Sequence, residues 1–200
     1  MDTFIQHARG HSARIADLQE ERESYGRLAA GQSPLALFIT CSDSRVIPSL
    51  ITGARPGELF ELRTAGNAVP RYAPGRAASS EAATIEYAMR VLEVADIVVC
   101  GHSHCGAVGA RCRGEDLTAA PDVRDWLSQE LSDSLPHDAE PAAANAVRRH
   151  VREQVERLRA YPSVRERLAS GSVGLHGWFY EVHTGRVTVH DPATDAFLPL

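Results

Sequence analysis

The sequence predicts an α/β fold in which helices flank a central, mostly parallel sheet. Three short segments, 35–40, 58–63 and 95–101, are predicted to be strands. The first and third are nearly continuous apolar runs, which is typical of strands buried on both faces of a parallel sheet. Helical patterns separate the strands, and this alternation places helices on the faces of the sheet. A length of 200 residues suits one domain spanning residues 1–200.

The first helical segment precedes the strands. Between residues 2 and 29, apolar residues recur at loose helical spacing among charged ones, and 31–34 (GQSP) breaks the pattern. These residues predict an N-terminal helical arm over 1–30. The arm has too few apolar residues for a core of its own, so we expect it to pack on a partner subunit.

The later elements follow the same logic. Residues 79–92 form an amphipathic pattern and predict a helix before the third strand. Residues 115–140 are rich in Asp, Ser and Pro and predict short helices and loops. Residues 142–161 predict a long helix that stops at Pro162. Two apolar segments, 172–183 and 186–190, flank Thr184-Gly185 and predict a C-terminal antiparallel hairpin.

Composition narrows the class of protein. The formal net charge is −5 and no long basic run occurs, so we expect neither nucleic acid nor an anionic membrane surface as a partner. All 21 basic side chains are arginine, which excludes Schiff-base or P-loop chemistry on lysine. We see no apolar signal or membrane-spanning segment and expect a cytoplasmic protein. Four cysteines then suggest metal ligands or catalysis before disulfides.

Two motifs follow predicted strands at their carboxyl ends. Residues 41–45 (CSDSR) come after the first strand, and residues 102–106 (HSHCG) come after the third. Open α/β sheets place their sites at this edge, and neighbouring strands lie about 5 Å apart. Cys41, His102 and Cys105 could therefore converge on one ion. Two thiolates and one imidazole suit zinc, and three protein ligands leave the fourth position for water.

Alternatives remain open from the residues alone. The three side chains could instead be buried core residues, since cysteine is often buried and inert. Asp43 or His104 could fill the fourth position, although His104 adjoins Cys105 and would be strained as a ligand. His104 could also relay protons at the mouth of the site, or be a solvated loop residue.

Together the motifs resemble those of the β-class carbonic anhydrases. The resemblance runs from about residue 32 to residue 107 and continues more weakly over 178–185 (WFYEVHTG). Between the two zinc motifs lie further matching segments in the right order: GELF at 57–60, AGN at 65–67 and EYA at 86–88. One departure is Thr64, where the family often has asparagine; we expect it to change loop hydrogen bonding rather than activity.

The resemblance implies a reaction and a set of roles. The reaction is the reversible hydration of CO2 to bicarbonate by a zinc-bound hydroxide, with one Zn2+ per subunit held by Cys41, His102 and Cys105. Asp43 and Arg45 form a catalytic dyad beside the metal. In the family the substrate pocket crosses a dimer interface, which implies a homodimer or a dimer of dimers. The substrate-binding residues implied are Gln32, Phe60, Ala65, Tyr87 and Gly106.

Physical chemistry supports a role for the dyad. Two thiolates cancel the charge of zinc, so a carboxylate that accepts a hydrogen bond from the reacting water helps to orient it. Arg45 can keep Asp43 ionised and away from the metal. Some relatives show a closed state with the aspartate on zinc. Phe38 replaces the tryptophan typical of that closed type, and together with Gln32 it favours the open, plant-like type.

Two other functions fit the same residues. The zinc site could hydrolyse a CO2 analogue such as carbonyl sulfide or carbon disulfide, since relatives with this fold and metal site do so. The chain could also be a catalytically silent zinc-binding accessory protein, although the intact ligand trio and dyad argue against it.

Overall fold

A six-stranded sheet is the centre of the protein. The computed structural model describes residues 1–75, 77, 79–131 and 142–200. The strand order is β2-β1-β3-β4-β5-β6; the first four are mutually parallel, β5 is antiparallel to β4, and β6 is antiparallel to β5. The predicted α/β fold and C-terminal hairpin are therefore confirmed. The strands are β1 (Ala36–Cys41), β2 (Leu59–Thr64), β3 (Asp96–His102), β4 (Gly174–Tyr180), β5 (Val187–Asp191) and β6 (Ala196–Pro199).

Burial on both faces explains why β1 and β3 are apolar throughout. Every residue of β1 is buried, and β3 is buried except at Asp96. Leu37 and Ile39 face the main hydrophobic core, whereas Phe38 faces a smaller cluster on the other side of the sheet. Each such side chain stabilises the fold by about 1.5–3 kcal/mol on burial. These two central strands carry the predicted metal-binding motifs at their ends.

Helices cover the sheet and form an N-terminal arm. They are α1 (Asp2–Arg9), α2 (His11–Asp17), α3 (Gln19–Leu28), α4 (Pro48–Thr52), α5 (Ser80–Arg90), α6 (Gly106–Arg113), α7 (Pro121–Glu130), α8 (Ala142–Leu158) and α9 (Pro162–Ala169). The helix α7 lies in the segment predicted as short helices and loops, whose residues 132–140 are outside the described part. Among the described residues, no helix has both the length and the apolarity to cross a membrane.

Three details differ from the sequence predictions. The arm is helical, but Gly10 and Leu18 divide it into three helices, none with a buried residue. The long helix α8 ends at Leu158, and Pro162 begins α9 as its first residue. The fixed φ of proline suits the first turn of a helix, so Pro162 begins α9, after residues 159–161 that separate it from α8. The strand β6 was not predicted because its segment is too short to show a pattern.

Gly101 lets α8 pack closely on the sheet. A Cβ at this position would lie 2.5 Å from Val151 and 2.8 Å from Val147, both on α8. Any larger residue would push the helix away from β3. The close approach brings the polar side chains of α8 to the segment that follows β2.

A stripe of four polar side chains on and just after α8 holds that segment. His150, Gln154, Arg157 and Tyr161 are spaced by four, three and four residues, so they lie along one helix face. Each bonds the backbone of residues 66–70: His150 Nε2 contacts the Gly66 carbonyl at 2.8 Å, and Val69 N–H donates to Gln154 at 2.8 Å. Arg157 donates to the Val69 carbonyl at 2.8 Å, and the Tyr161 hydroxyl donates to the Pro70 carbonyl at 2.7 Å.

The hydrogen bonds within the stripe assign the tautomer of His150. The Gln154 oxygen accepts from Val69, so the Gln154 amide nitrogen faces His150 Nδ1, at 3.2 Å, and donates to it. Nε2 therefore carries the proton and donates to Gly66. Burial lowers the pKa of His150 to about 4, which keeps the ring neutral at physiological pH.

This lowered pKa makes part of the folding stability depend on pH. The unfolded ring takes a proton near pH 6.5, whereas the folded ring resists it down to about pH 4. Stability should fall by up to about 3 kcal/mol as pH drops through that window, because the unfolded state then binds more protons. The His150→Gln variant keeps a donor for the Gly66 carbonyl but has no ring that titrates. Its free energy of unfolding should therefore fall less over this pH range than that of the wild-type protein.

Urea unfolding of the zinc-free wild-type and His150→Gln proteins between about pH 7 and about pH 4 measures the difference. All other groups are common to the two proteins, including Arg157, which lowers the pKa of His150, and Cys41, which raises it. Parallel stability curves for the two proteins would contradict the prediction.

Candidate metal centre

Two thiols and one imidazole meet at the carboxyl edge of the sheet. One potential ligand atom from each of Cys41, His102 and Cys105 lies within 4.8 Å of the others, and all three residues are buried. Cys41 ends β1, His102 ends β3, and Cys105 is the N-cap of α6. The predicted convergence is confirmed. Ligands about 2.0–2.3 Å from a tetrahedral zinc ion would have mutual separations in this range.

His102 presents an unpaired nitrogen to this group. Its Nδ1 lies 2.9 Å from the Ser103 carbonyl, which can only accept, so Nδ1 carries the proton. Nε2 therefore has a lone pair; it is buried and has no hydrogen-bond partner among the described residues. Burying a polar atom without a partner costs about 1–3 kcal/mol. A metal ion bound by Nε2 would remove this cost, so the residues present fit zinc.

The two thiols are electrostatically coupled. A hydrogen bond from Cys105 lowers the pKa of the Cys41 thiol, and the same contact raises the pKa of Cys105. The backbone N–H groups of Asp43 and Gly66 also lower the pKa of the Cys41 thiol and so favour its thiolate. The contact therefore favours the thiolate on Cys41 and the protonated thiol on Cys105. Binding a divalent cation would release a thiol proton, because both sulfurs coordinate as thiolates.

The position of Cys105 at the start of a helix also favours its thiolate form. The backbone N–H groups of Ala107 and Val108, in the first turn of α6, favour the thiolate form of Cys105. The positive end of the helix dipole acts in the same direction. Both thiols thus lie where backbone donors stabilise negative charge.

Asp43 and Arg45 form a close ion pair beside the three ligands. Arg45 Nε donates to Asp43 Oδ1 at 2.9 Å, and Nη2 donates to Oδ2 at 2.7 Å. The same Oδ2 is 3.9 Å from His102 Nε2, so the carboxylate borders the metal position. The Arg45 guanidinium holds the pKa of Asp43 well below its usual range. Arg45 also donates to the His104 carbonyl at 3.0 Å, which joins the two motifs.

Arg63 is a contributor that the sequence analysis did not single out. Its guanidinium donates to three backbone carbonyls: Cys41 at 2.9 Å, Asp43 at 2.9 Å and Val46 at 2.8 Å. These bonds shape the loop that carries Cys41 and Asp43. In the sequence, this role could have been suspected from the position of Arg63 next to Thr64, in a segment that resembles a family motif. Thr64 itself donates to the Ala68 carbonyl at 2.9 Å, in line with the loop role expected for it.

The predicted substrate residues divide into two groups. Ala65 and Gly106 lie at the metal end: Ala65 follows β2, and Gly106 adjoins Cys105. Ala65 also borders a cavity of about 330 Å³ lined by Ser42 and Trp126 among others. The Trp126 indole N–H donates to the Ala65 carbonyl at 3.0 Å.

The second group lies toward the opposite end of the strands. Phe60 pairs in register with Leu37, four residues before Cys41, which is a distance of about 13 Å along the strand. Tyr87 contacts Phe60, with ring centroids 5.8 Å apart, and the exposed Gln32 precedes β1. One chain therefore does not bring Gln32, Phe60 or Tyr87 to its own candidate metal ligands.

His104 lies outside the ligand group. Its backbone has a positive φ of 55°, and its exposed ring meets the ring of His183 edge-on at 5.9 Å between centroids. Among the described residues, the group that could hold a metal comprises Cys41, His102 and Cys105 alone. His104 is thus placed at the mouth of the site rather than on the metal position.

Known proteins share both this sequence and this fold. A family model described as carbonic anhydrase matches residues 36–187. A carbonic anhydrase of Pseudomonas aeruginosa is 45% identical over 179 residues, which cover 86% of this chain and 80% of that protein. Carbonic anhydrase 1 of Escherichia coli O157:H7 is 43% identical over 182 residues, covering 88% and 82%.

Solved structures agree with these matches. The β-carbonic anhydrase CcaA superposes with a TM-score of 0.90 at 36% identity, over 100% of this chain and 99% of that one. A tetrameric β-carbonic anhydrase from Sordaria macrospora superposes with a TM-score of 0.79 at 28% identity, over 94% and 97%. With its thiol–imidazole–thiol group at the carboxyl edge of a parallel sheet, the chain belongs to the β class of the carbonic anhydrase family.

Proposed function

We propose that this protein catalyses the reversible hydration of CO2 to bicarbonate with one zinc ion per subunit, held by Cys41, His102 and Cys105. The observation that carries the proposal is the buried, unpaired Nε2 of His102 facing two coupled thiols. When bound, zinc supplies Lewis-acid activation of a water molecule. Relatives named as carbonic anhydrases at 43–45% identity support this reaction.

Asp43 is proposed to orient the reacting water. Its Oδ2 borders the metal position, 3.9 Å from His102 Nε2, and an ionised carboxylate can accept a hydrogen bond from that water. The bond directs an oxygen lone pair toward the carbon of CO2. Arg45 keeps the carboxylate ionised through paired hydrogen bonds and restrains it from swinging onto the metal. This geometry favours the open type of site.

The substrate pocket is proposed to form between two copies of the chain. Gln32, Phe60 and Tyr87 lie far from the metal ligands of their own chain, so they could serve only a neighbour's site. The arm supports association as well, because none of its helices has a buried residue and Phe4 is 74% exposed. We propose a homodimer, alone or paired into a tetramer.

Replacing one ligand should remove metal and activity together. Cys41→Ser leaves one thiolate and one imidazole, which hold zinc poorly. We expect zinc content near zero by metal analysis and no CO2 hydration by stopped flow. Cys112→Ser is the matched control: this cysteine is also buried but lies outside the ligand group, so zinc and activity should persist.

The same assay tests the reaction itself. Zinc-replete wild-type protein is measured with CO2 and, side by side, with carbonyl sulfide. Turnover of carbonyl sulfide alone would reassign the substrate, and no turnover of either would leave a zinc-binding protein without this activity. A Cys41→Ser protein with full zinc and full activity would refute the metal assignment.

Removing the arginine of the dyad should impair turnover but not metal binding. Arg45→Ala frees Asp43 to rotate or to bind the metal, so we expect kcat/KM to fall about ten- to a hundredfold with zinc content unchanged. Arg159→Ala is the control, since Arg159 pairs with Glu156 and is exposed to the same extent as Arg45, 47%. Equal activity of the Arg45→Ala variant and the wild-type protein would exclude a role for the Asp43–Arg45 pair in turnover.

Complementation tests whether pockets are shared. Neither Cys41→Ser nor Tyr87→Ala should be fully active alone. In a mixed dimer, however, one site combines an intact Cys41 with an intact Tyr87 from the other chain. Refolding an equal mixture should add about a quarter of wild-type activity to the residual activity of the homodimers, because half of the dimers are mixed and each has one intact site. No gain over the separate variants would mean that the sites are not shared in this way.

A further inference from the structure

A cavity of about 780 Å³ lies between α8 and the residues that follow the 66–70 segment. Its volume is within the range of about 300–1,000 Å³ that is usual for small-molecule sites. None of the three candidate metal ligands borders it. Although the chain has a formal net charge of −5, more arginines than acidic residues line the cavity. The charged lining residues are Arg71, Arg149, Arg152, Arg157, Glu153 and Glu156.

Ion pairs within the chain neutralise some of these charges. Arg152 pairs with Asp195, and Glu156 pairs with Arg159 at 3.0 Å. Arg71 differs, because its side chain is exposed and makes no hydrogen bond or ion pair among the described residues. The charge of Arg71 is therefore available to a ligand.

Arg157 is the buried and oriented donor of the cavity. Its side chain is 7% exposed, and Nη1 donates to Glu130 Oε2 at 2.9 Å and to the Val69 carbonyl at 2.8 Å. Its Nε and Nη2 make no hydrogen bond with the described residues, but neither atom is sealed from solvent. These two nitrogens therefore present free N–H donors at the cavity wall. A guanidinium that is already fixed loses little conformational freedom when it binds a ligand.

The positive charges of Arg71 and Arg157 border the same cavity and repel each other. Burial lowers the pKa of Arg157, and the charge of Arg71 lowers it further. Glu130 and Glu153 act in the opposite sense, but Glu130 is already bonded to Arg157. An oxyanion between the two guanidinium groups would replace their repulsion by charge-assisted hydrogen bonds. Glu153 would repel a second anionic group, so the cavity favours one oxyanion group per ligand.

Tyr72 adds an aromatic wall to the cavity. Its side chain is 41% exposed and packs against the buried Tyr161, with ring centroids 5.4 Å apart. The Tyr161 hydroxyl is held in turn by the Pro70 carbonyl at 2.7 Å. The cavity is much larger than a single phosphate or carboxylate group, so an organic part of a ligand has room to pack on the Tyr72 ring.

We propose that this cavity binds a small organic anion whose phosphate or carboxylate group lies between Arg71 and Arg157, with its carbon skeleton against Tyr72. Guanidinium groups suit both kinds of oxyanion because they present paired N–H donors in one plane. Binding here needs neither zinc nor turnover, because the candidate metal ligands lie outside the cavity.

Calorimetric titration of the zinc-replete protein at low salt measures this binding. Phenyl phosphate joins an aromatic ring to one phosphate group, and benzoate joins the same ring to one carboxylate. We expect a dissociation constant below about 1 mM for at least one of them, and the tighter ligand identifies the preferred oxyanion. Binding of neither compound at about ten times that concentration would overturn the proposal.

Two arginine variants locate the bound anion. Arg71→Ala removes a side chain without a partner among the described residues, so unfolding in urea should be unchanged while affinity falls about tenfold or more. Arg165→Ala is the matched control: Arg165 is also exposed, its side chain has no such partner, and it lies on α9 outside the cavity. Anions bound to the metal instead would bind both variants equally, and that result would overturn the proposal.

A third variant tests the aromatic wall. Tyr72→Leu keeps an apolar side chain but removes the ring, so the affinity for phenyl phosphate should fall about threefold to tenfold. Inorganic phosphate, which has no ring, should bind this variant and the wild-type protein equally well. Equal losses for the two ligands, or no loss for phenyl phosphate, would contradict the proposed orientation. All of these titrations measure binding, so their outcome does not depend on whether the protein hydrates CO2.

Discussion

The parallel register of β1 and β3 is the constraint on which the site depends. Thr40 pairs with Cys100, so Cys41 and His102, one and two residues further along, reach the same edge of the sheet. Shifting either strand by one residue would turn its side chains to the opposite face. The apolar residues that fill both faces of the sheet fix this register. A shift would expose them to water, and the free energy that this requires keeps the candidate ligands in place.

Guanidinium groups order the loops around the ligands. Arg63 bonds three carbonyls of the loop after β1, Arg45 joins that loop to His104, and Arg157 holds the Val69 carbonyl. A planar, always charged fork suits several carbonyls at once, which an ammonium group on a flexible stem does less well. The absence of lysine from the chain is consistent with this use of arginine.

Local patterns were enough to predict the strands, the ligand trio and the Asp43–Arg45 pair, because each is a short motif at a strand end. The anchoring residues were not predictable in the same way. In the sequence, the polar residues His150, Gln154 and Arg157 at helical spacing are typical of a solvated helix face. In the structure, α8 packs closely on Gly101 and this face is buried. The roles proposed for Gln32, Phe60 and Tyr87 depend on a second chain, which no single-chain pattern describes.

On the proposed function, metal binding and turnover draw on different parts of the protein. One chain holds all three proposed metal ligands, their backbone donors and the α8 stripe, so zinc affinity should be a property of the folded subunit. The pocket proposed for CO2 also needs residues that lie about 13 Å from those ligands in the same chain. On that proposal, dissociating the subunits removes part of the pocket but none of the ligands. Zinc would then remain bound while turnover falls, and this separates a shared substrate pocket from a shared metal site.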